Sequence, residues 1–352
     1  MNDTDTTPRT TARDGAVSSP PIASAAHRRS RTLGLWLGWA AVVGLAAVLV
    51  PAMGDAYYES LAVSALVLVV MGTGWNIVGG YGGQLSFGHA AFYGLGAYAA
   101  AEFVNRSEMG SYATATGAIV VAALVGATAS LLMIPGYRSR GAYFAILTLA
   151  VAQFFLILGP SVLPGGSQGV FIDLVFNIDS HGAYWTAVTV AVLAVLISLA
   201  VRRSRLGSGL FAIRDDMDAA ASVGVPTFRI RLQAFAISGG VTGAAGGLYA
   251  TTQFIVDAPT VFSPMLAVLP VLIVTLGGIG TVAGPVIGAL IWSVLEYYLT
   301  NSSVEAGYST LVYGSLLVIL AIALPKGLLG VLTTARAAAR RRLPAATHRG
   351  DA

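Results

Sequence analysis

Cysteine is absent from all 352 residues, which excludes disulfides, thiol chemistry and cysteine-based metal sites. Charge is scarce too. Asp, Glu, Lys and Arg make up 10% of the chain, against about 25% in ordinary soluble domains, too few to coat a water-facing surface. Hydrophobic residues reach 56% and the mean hydropathy is +0.76, which places the chain among integral membrane proteins. Reactive constellations are missing as well. There is no G-x-x-x-x-G-K-[ST] phosphate loop, so the chain has no site of that kind for ATP. Without H-E-x-x-H, G-x-S-x-G or paired intramembrane carboxylates, a membrane-embedded hydrolase lacks its acid, base or nucleophile. The net charge of +4 points to no nucleic acid, because the basic residues are spread among loops.

What is present is organised by long apolar runs. Residues 1–32 read as a disordered polar tail ending in Arg28, Arg29 and Arg31. The run 33–53 is long enough to span and lacks a small-residue cleavage site, so it reads as an uncleaved first helix. Further spans are expected near 60–78, 86–104, 112–134, 143–159, 183–201, 232–250, 264–280, 284–300 and 308–324, each near the length that a hydrocarbon core of about 30 Å demands. The sequence therefore predicts an all-α polytopic membrane protein with about ten transmembrane segments, one of them broken or re-entrant. The pair 264–280 and 284–300 reads equally as a re-entrant hairpin plus a helix. Residues 33–332 form the membrane domain, and 333–352 a second polar tail. With the N-terminus inside, all of the 20 Lys and Arg residues except Arg106 fall on inner segments, as the positive-inside rule requires. Asp55, Glu59, Glu108, Asp173, Asp179, Asp257 and Glu305 fall on outer loops. Both termini are expected in the cytoplasm.

The largest inner loop, 202–231, is a polar island between apolar runs. Leu210–Val223 reads as one amphipathic helix, with Leu210, Ile213, Met217, Ala220 and Ala221 on one side and Arg214, Asp215, Asp216 and Asp218 elsewhere. Gly224 supplies a stop and Pro226 prevents continuation. Such a helix offers a grip for a partner protein; it would also suit the surface of an anionic bilayer.

A second feature is Gly72–Ala101. Gly79, Gly80, Gly82 and Gly83 around Tyr81 cannot sustain an ordinary membrane helix, and irregular backbone survives in lipid only where protein or a watery cavity surrounds it. Two readings stand: a broken helix that presents backbone groups to a solute, or a tight inner turn. In the first, Ser86 caps a helix beginning at Phe87 and leaves N–H groups for a carboxylate. His89 is an ionisable group inside a span and hence a candidate, with a neutral, hydrogen-bonded structural role as the alternative. Glu102 and Glu296 lie near outer helix ends and read as interfacial. The outer loop 160–182 opens with the turn-rich Leu163–Gly169, which either faces a delivered ligand or caps the outer mouth.

Asp218-Ala219-Ala220 followed by Gly224 resembles the "EAA---G" cytoplasmic loop of bacterial ABC importer permeases, with Asp in place of the usual Glu. Trp75-Asn76-Ile77 and Gly83–Phe92 resemble the glycine-rich signature of the branched-chain amino acid permeases. The match continues through Gly141–Ala150, Gly165–Gly169, Leu276–Thr281 and Gly284–Ala289, covering roughly 60–330, and the 141–150 stretch resembles the M-type subunit. Gln168 stands where that family has an acidic residue or Asn.

The resemblance implies a permease subunit of an ATP-driven importer in the bacterial inner membrane. It implies an H-type permease partner, two ATPase subunits that bind the ATP, an extracytoplasmic solute-binding protein, and no cofactor in this chain. It places Arg214, Asp215, Asp218, Ala219, Ala220 and Gly224 in ATPase coupling, and Trp75, Asn76, Gln84, Ser86, His89, Thr148, Ser167 and Gln168 along the substrate pathway. A urea or short-amide permease of the same type is the alternative within the class. A stand-alone channel or ion-coupled carrier is the alternative outside it, and predicts an intramembrane charge or an inverted repeat.

Overall fold

Asp55 begins the described chain by accepting the N–H of Tyr57 on its side chain at 2.9 Å, which caps the first helix in the usual Asp manner. The computed structural model describes residues 55–139, 141–172, 179–301 and 315. The expected tails at 1–32 and 333–352 and the expected spans at 33–53 and 308–324 lie outside them.

Helix α1, Ala56–Trp75, runs on as a π-helical segment, Asn76–Tyr81. Helix α2 is His89–Arg106 and α3 is Ser111–Ala129, which tightens into a 3-10 stretch, Ser130–Arg138. Helix α4, Ala142–Val162, and α5, Ser180–Arg203, flank a short strand β1, Val170–Phe171. Two short helices, α6 (Arg205–Asp215) and α7 (Met217–Ser222), lead into α8, Thr227–Ala250. Strand β2 (Ile255–Val256), α9 (Ala258–Val261), α10 (Pro264–Gly277) and α11 (Gly284–Asn301) follow. The all-α polytopic class holds, with one two-residue antiparallel ladder, Val170 opposite Val256 and Phe171 opposite Ile255, as its only described sheet.

Among the described residues, five helices are apolar and long enough to cross a membrane by themselves: Ala56–Tyr81, Ser111–Gly136, Ala142–Val162, Ser180–Arg203 and Ala258–Gly277. Helices α2 and α8 also match expected spans but are rich in Gly and Ala. They are interior helices, packed on each other and on α3, so their surfaces meet protein and need little hydropathy. Small residues let the backbones close. A Cβ on Gly239 would collide with the carbonyl oxygen of Gly126 on α3, and one on Gly96 with that of Gly243. The outer helices show the opposite pattern. Tyr143, Ile146, Phe154 and Ile157 of α4, and Leu193 and Leu196 of α5, are exposed, an apolar belt suited to lipid or a partner helix and untenable in water.

The bundle has two unlike ends. At one, loop 202–231 gathers against Asn76–Gly88 and the turn after α10. At the other, β1–β2 pairing is extended by Ile172 N–H donating to Phe254 O at 2.9 Å, and the Asn105 amide donates to Phe171 O at 2.7 Å. Glu102 pairs there with Arg106 at 2.6 Å, with the arginine side chain 81% exposed, the interfacial position expected of it.

Candidate functional site

The π-helical turn carries Asn76 into full burial, where its amide fastens α1 to the turn between α10 and α11. Its Oδ1 accepts from Gly280 N–H at 3.0 Å and its Nδ2 donates to Thr281 O at 2.8 Å. The two partners fix which way the amide points. Thr281 is itself held, donating to Gly278 O at 2.8 Å and accepting from Gly284 N–H at 2.9 Å, which caps α11. Gly80 lies directly beneath Gly280: a Cβ on Gly80 would overlap the Asn76 amide.

Trp75 closes the glycine loop from its other side, its Nε1–H donating to Ser86 O at 2.7 Å. The expected helix start at Phe87 is corrected by two residues, since α2 begins at His89. The reason is local. Ser86 Oγ accepts from Gly88 N–H at 3.3 Å, and Thr148 Oγ1 from Phe87 N–H at 3.0 Å. Those two N–H groups are therefore spent inside the protein rather than left for a carboxylate. Thr148 completes its bonding by donating to Ala145 O at 2.9 Å, so α4 is tied to the start of α2.

His89 is buried and its Nε2 lies 2.8 Å from Ser238 Oγ on α8. The Ser238 hydroxyl gives its single hydrogen to Gly74 O at 2.7 Å. Towards the ring it must accept, so Nε2 carries the hydrogen and Nδ1 is the bare acceptor. No described residue hydrogen-bonds Nδ1. The partner of His89 is thus a serine that bridges three helices, α1, α2 and α8. Gln84 is half-buried, with its backbone N–H on Val78 O at 3.2 Å.

Trp75, Asn76, Gln84, Ser86, His89 and Thr148 therefore gather around one segment, broken at 82–88 where the π-helical end of α1 gives way to irregular backbone, and residues 76–82 are buried. Ser167 and Gln168 do not join them. They are exposed on a 3-10 turn, Gly166–Gln168, beyond the far end of α4, which itself carries them about 20 Å from Thr148.

The loop 202–231 differs from the single helix Leu210–Val223 expected of it. Two helices stand there, separated at Asp216, whose backbone is extended (φ −159°, ψ 117°). The physical reason is side-chain competition for the backbone. Asp216 Oδ1 accepts from Asp218 N–H at 2.8 Å and Ala219 N–H at 3.0 Å, which stops α6 and caps α7. Gly224, at φ +87°, ends the unit as expected, with Gly224 N–H on Ala221 O and Val225 N–H on Ala220 O, both at 3.0 Å. Asp215, Asp218, Ala219 and Gly224 are exposed, whereas Ala220 is buried against its own chain. Arg214, also exposed, reaches back to donate from Nη1 to Gly80 O at 2.7 Å.

Residues that sequence reading passed over complete the site: Ser238, Gly280, Thr281, Asp216, and the Tyr81 hydroxyl paired with Ser198 Oγ at 2.7 Å. All are uncharged except Asp216, and none carries a motif that names its partner.

A family model described as "Branched-chain amino acid transport system / permease component" matches residues 57–321. The chain belongs to that family. The permease is 30% identical over 301 residues to the high-affinity branched-chain amino acid transport system permease protein LivM of Salmonella typhimurium, covering 76% of this chain and 69% of that protein. The same values hold for LivM of Escherichia coli strain K12. LivH of Escherichia coli K12 is 24% identical over 278 residues, 73% of this chain and 89% of that protein. No solved structure matches. The stronger likeness to LivM agrees with an M-type permease.

Proposed function

We propose that this chain is the M-type permease subunit of an ATP-driven importer of branched-chain amino acids. It works beside an H-type permease, two ATPase subunits and an extracytoplasmic binding protein. ATP is bound by the ATPase subunits, and this chain carries no cofactor. The loop 202–231 and both termini face the cytoplasm, in keeping with the positive-inside distribution of arginine.

The observation that carries the reading is the projecting corner of that loop. Val223 is 79% and Phe228 51% exposed, on either side of Gly224, with Asp215, Asp218 and Ala219 exposed beside them. Apolar groups rimmed by charge mark a protein docking surface, and the family places its ATPase partner against this loop. Movement of the docked ATPases then rocks the permease between inward- and outward-open states around the broken segment. A zwitterionic substrate is met mainly by backbone and hydroxyl groups.

The complex reconstituted in proteoliposomes tests this with labelled leucine and labelled urea. Leucine uptake that needs ATP and the binding protein is expected. Asp218→Lys should weaken retention of the ATPase subunits without impairing membrane insertion. Uptake by the purified chain alone, or selective uptake of urea, would overturn the proposal.

A further inference from the structure

Helix α6 does more than connect α5 to the docking corner. Its inward row, Leu210, Phe211 and Arg214, lies on the broken segment. The Phe211 ring sits 5.7 Å from that of Tyr81, and a Cβ on Gly82 would stand 3.2 Å from Leu210 Cδ2. Arg214 reaches furthest, with Nη1 at 2.7 Å from Gly80 O. That carbonyl belongs to the last turn of the helix that began at Ala56, where carbonyls have no intrahelical donor and the helix dipole favours a cation. The guanidinium is the C-terminal cap of the central helix, supplied from the coupling loop.

The surroundings are shaped for that one side chain. A Cβ on Gly83 would stand 2.7 Å from Arg214 Cγ, and one on Gly280 would stand 2.6 Å from Nη1. Gly80 is pinned from its other face by Asn76 and Gly280. A larger residue at 83 or 280 would force the arginine to shift, on top of the strain of a side chain at positive φ. The break at Asp216 leaves α6 and α7 free to differ in direction, so α7 presents outward while α6 faces the bundle.

We propose that Arg214 is the positioning residue that transmits movement of the docked loop to the transport pathway, by holding Gly80 O in a seat formed by Gly80, Gly83 and Gly280. This deepens the docking reading above and refines one assignment: Arg214 is exposed on the loop, yet its guanidinium is engaged by Gly80 O of the permease itself. The chain of contact runs from α7 through α6 and Arg214 to Gly80, then through Asn76 to the α10–α11 turn, so one displacement reaches two helix pairs.

The test uses the complete importer in proteoliposomes and reads three quantities: ATPase subunits retained per permease, ATP hydrolysis stimulated by loaded binding protein, and leucine imported per ATP. Arg214→Met keeps the apolar stem over Gly83 and removes the donor; Arg214→Lys keeps a cation that can reach the carbonyl. A charged donor of this kind biases an equilibrium by about tenfold or more, so Arg214→Met should lower leucine per ATP about tenfold while retention and hydrolysis stay within about twofold. Arg214→Lys should recover most of the ratio, and Gly83→Ala, which unseats the wild-type arginine, should reproduce the loss. A thermal-denaturation series separates this from a purely structural role, which would lower the midpoint and leave the ratio unchanged. The proposal falls if leucine per ATP is unchanged in Arg214→Met, or if that variant sheds its ATPase subunits. The docking reading fails separately, if Val223→Asp leaves the ATPase subunits bound and active.

Discussion

The Asn76 bridge is the most exacting part of the site, and a double substitution with Gly80 isolates it. Asn76→Ala removes two hydrogen bonds and strands a buried Gly280 N–H and a part-buried Thr281 carbonyl. An orphaned buried group costs about 1–3 kcal/mol in soluble proteins, whereas interhelical bonds in membrane helices average only about 0.6 kcal/mol. Here the donor sits in an irregular turn with no competing helical carbonyl, so the soluble value governs Gly280. The carbonyl keeps a second lone pair and lies at the low end. The sum is about 2–3 kcal/mol. Gly80→Ala alone attacks the same bridge, because its methyl would occupy the place of the Asn76 amide. In the double variant that clash is gone, so the two costs overlap by about 1 kcal/mol or more, where independent sites would add within about 0.5 kcal/mol. Reversible unfolding in mixed micelles measures the cycle, and amide exchange at Gly280 reports the bridge directly. Additive costs, or an Asn76→Ala variant within about 0.5 kcal/mol of wild type, would refute the reasoning.

Other consequences are simpler to check. Asp216→Ala should cost about 1 kcal/mol as a lost N-cap and speed exchange of the Asp218 and Ala219 amides about fivefold, while leaving α6 protected. Gly239→Leu should force α8 from α3 at about 1–3 kcal/mol or prevent assembly, seen as a lower yield of monodisperse permease. Glu102→Gln, by contrast, should change the unfolding free energy by less than about 1 kcal/mol, since its arginine partner is largely in water.

Hydropathy and charge made most of the fold legible. Apolar runs located α1, α3, α4 and α5, and also the weakly apolar α2 and α8. The glycine cluster around Tyr81 marks where the regular helix ends, although Gly79 and Gly80 still lie in a π-helical turn and irregular backbone begins only at Gly82. What stayed hidden was partnership. Asn76 meets residues 204 and 205 positions away, and nothing in the local pattern of either stretch specifies the other. The two-helix form of loop 202–231 was missed for a local reason: the aspartates at 215, 216 and 218 all read as a solvated face, while only Asp216 has the geometry to cap. Pathway candidates chosen by motif likewise divided, with Ser167 and Gln168 at the far end from the rest.

The short ladder between Val170–Phe171 and Ile255–Val256, together with the Asn105 clip, has a mechanical corollary. It welds the tips of α2, α4 and α8 into a single plate on the side away from Arg214. A plate cannot deform locally, so any rearrangement that admits a solute from that side must swing it whole or shear a few backbone hydrogen bonds.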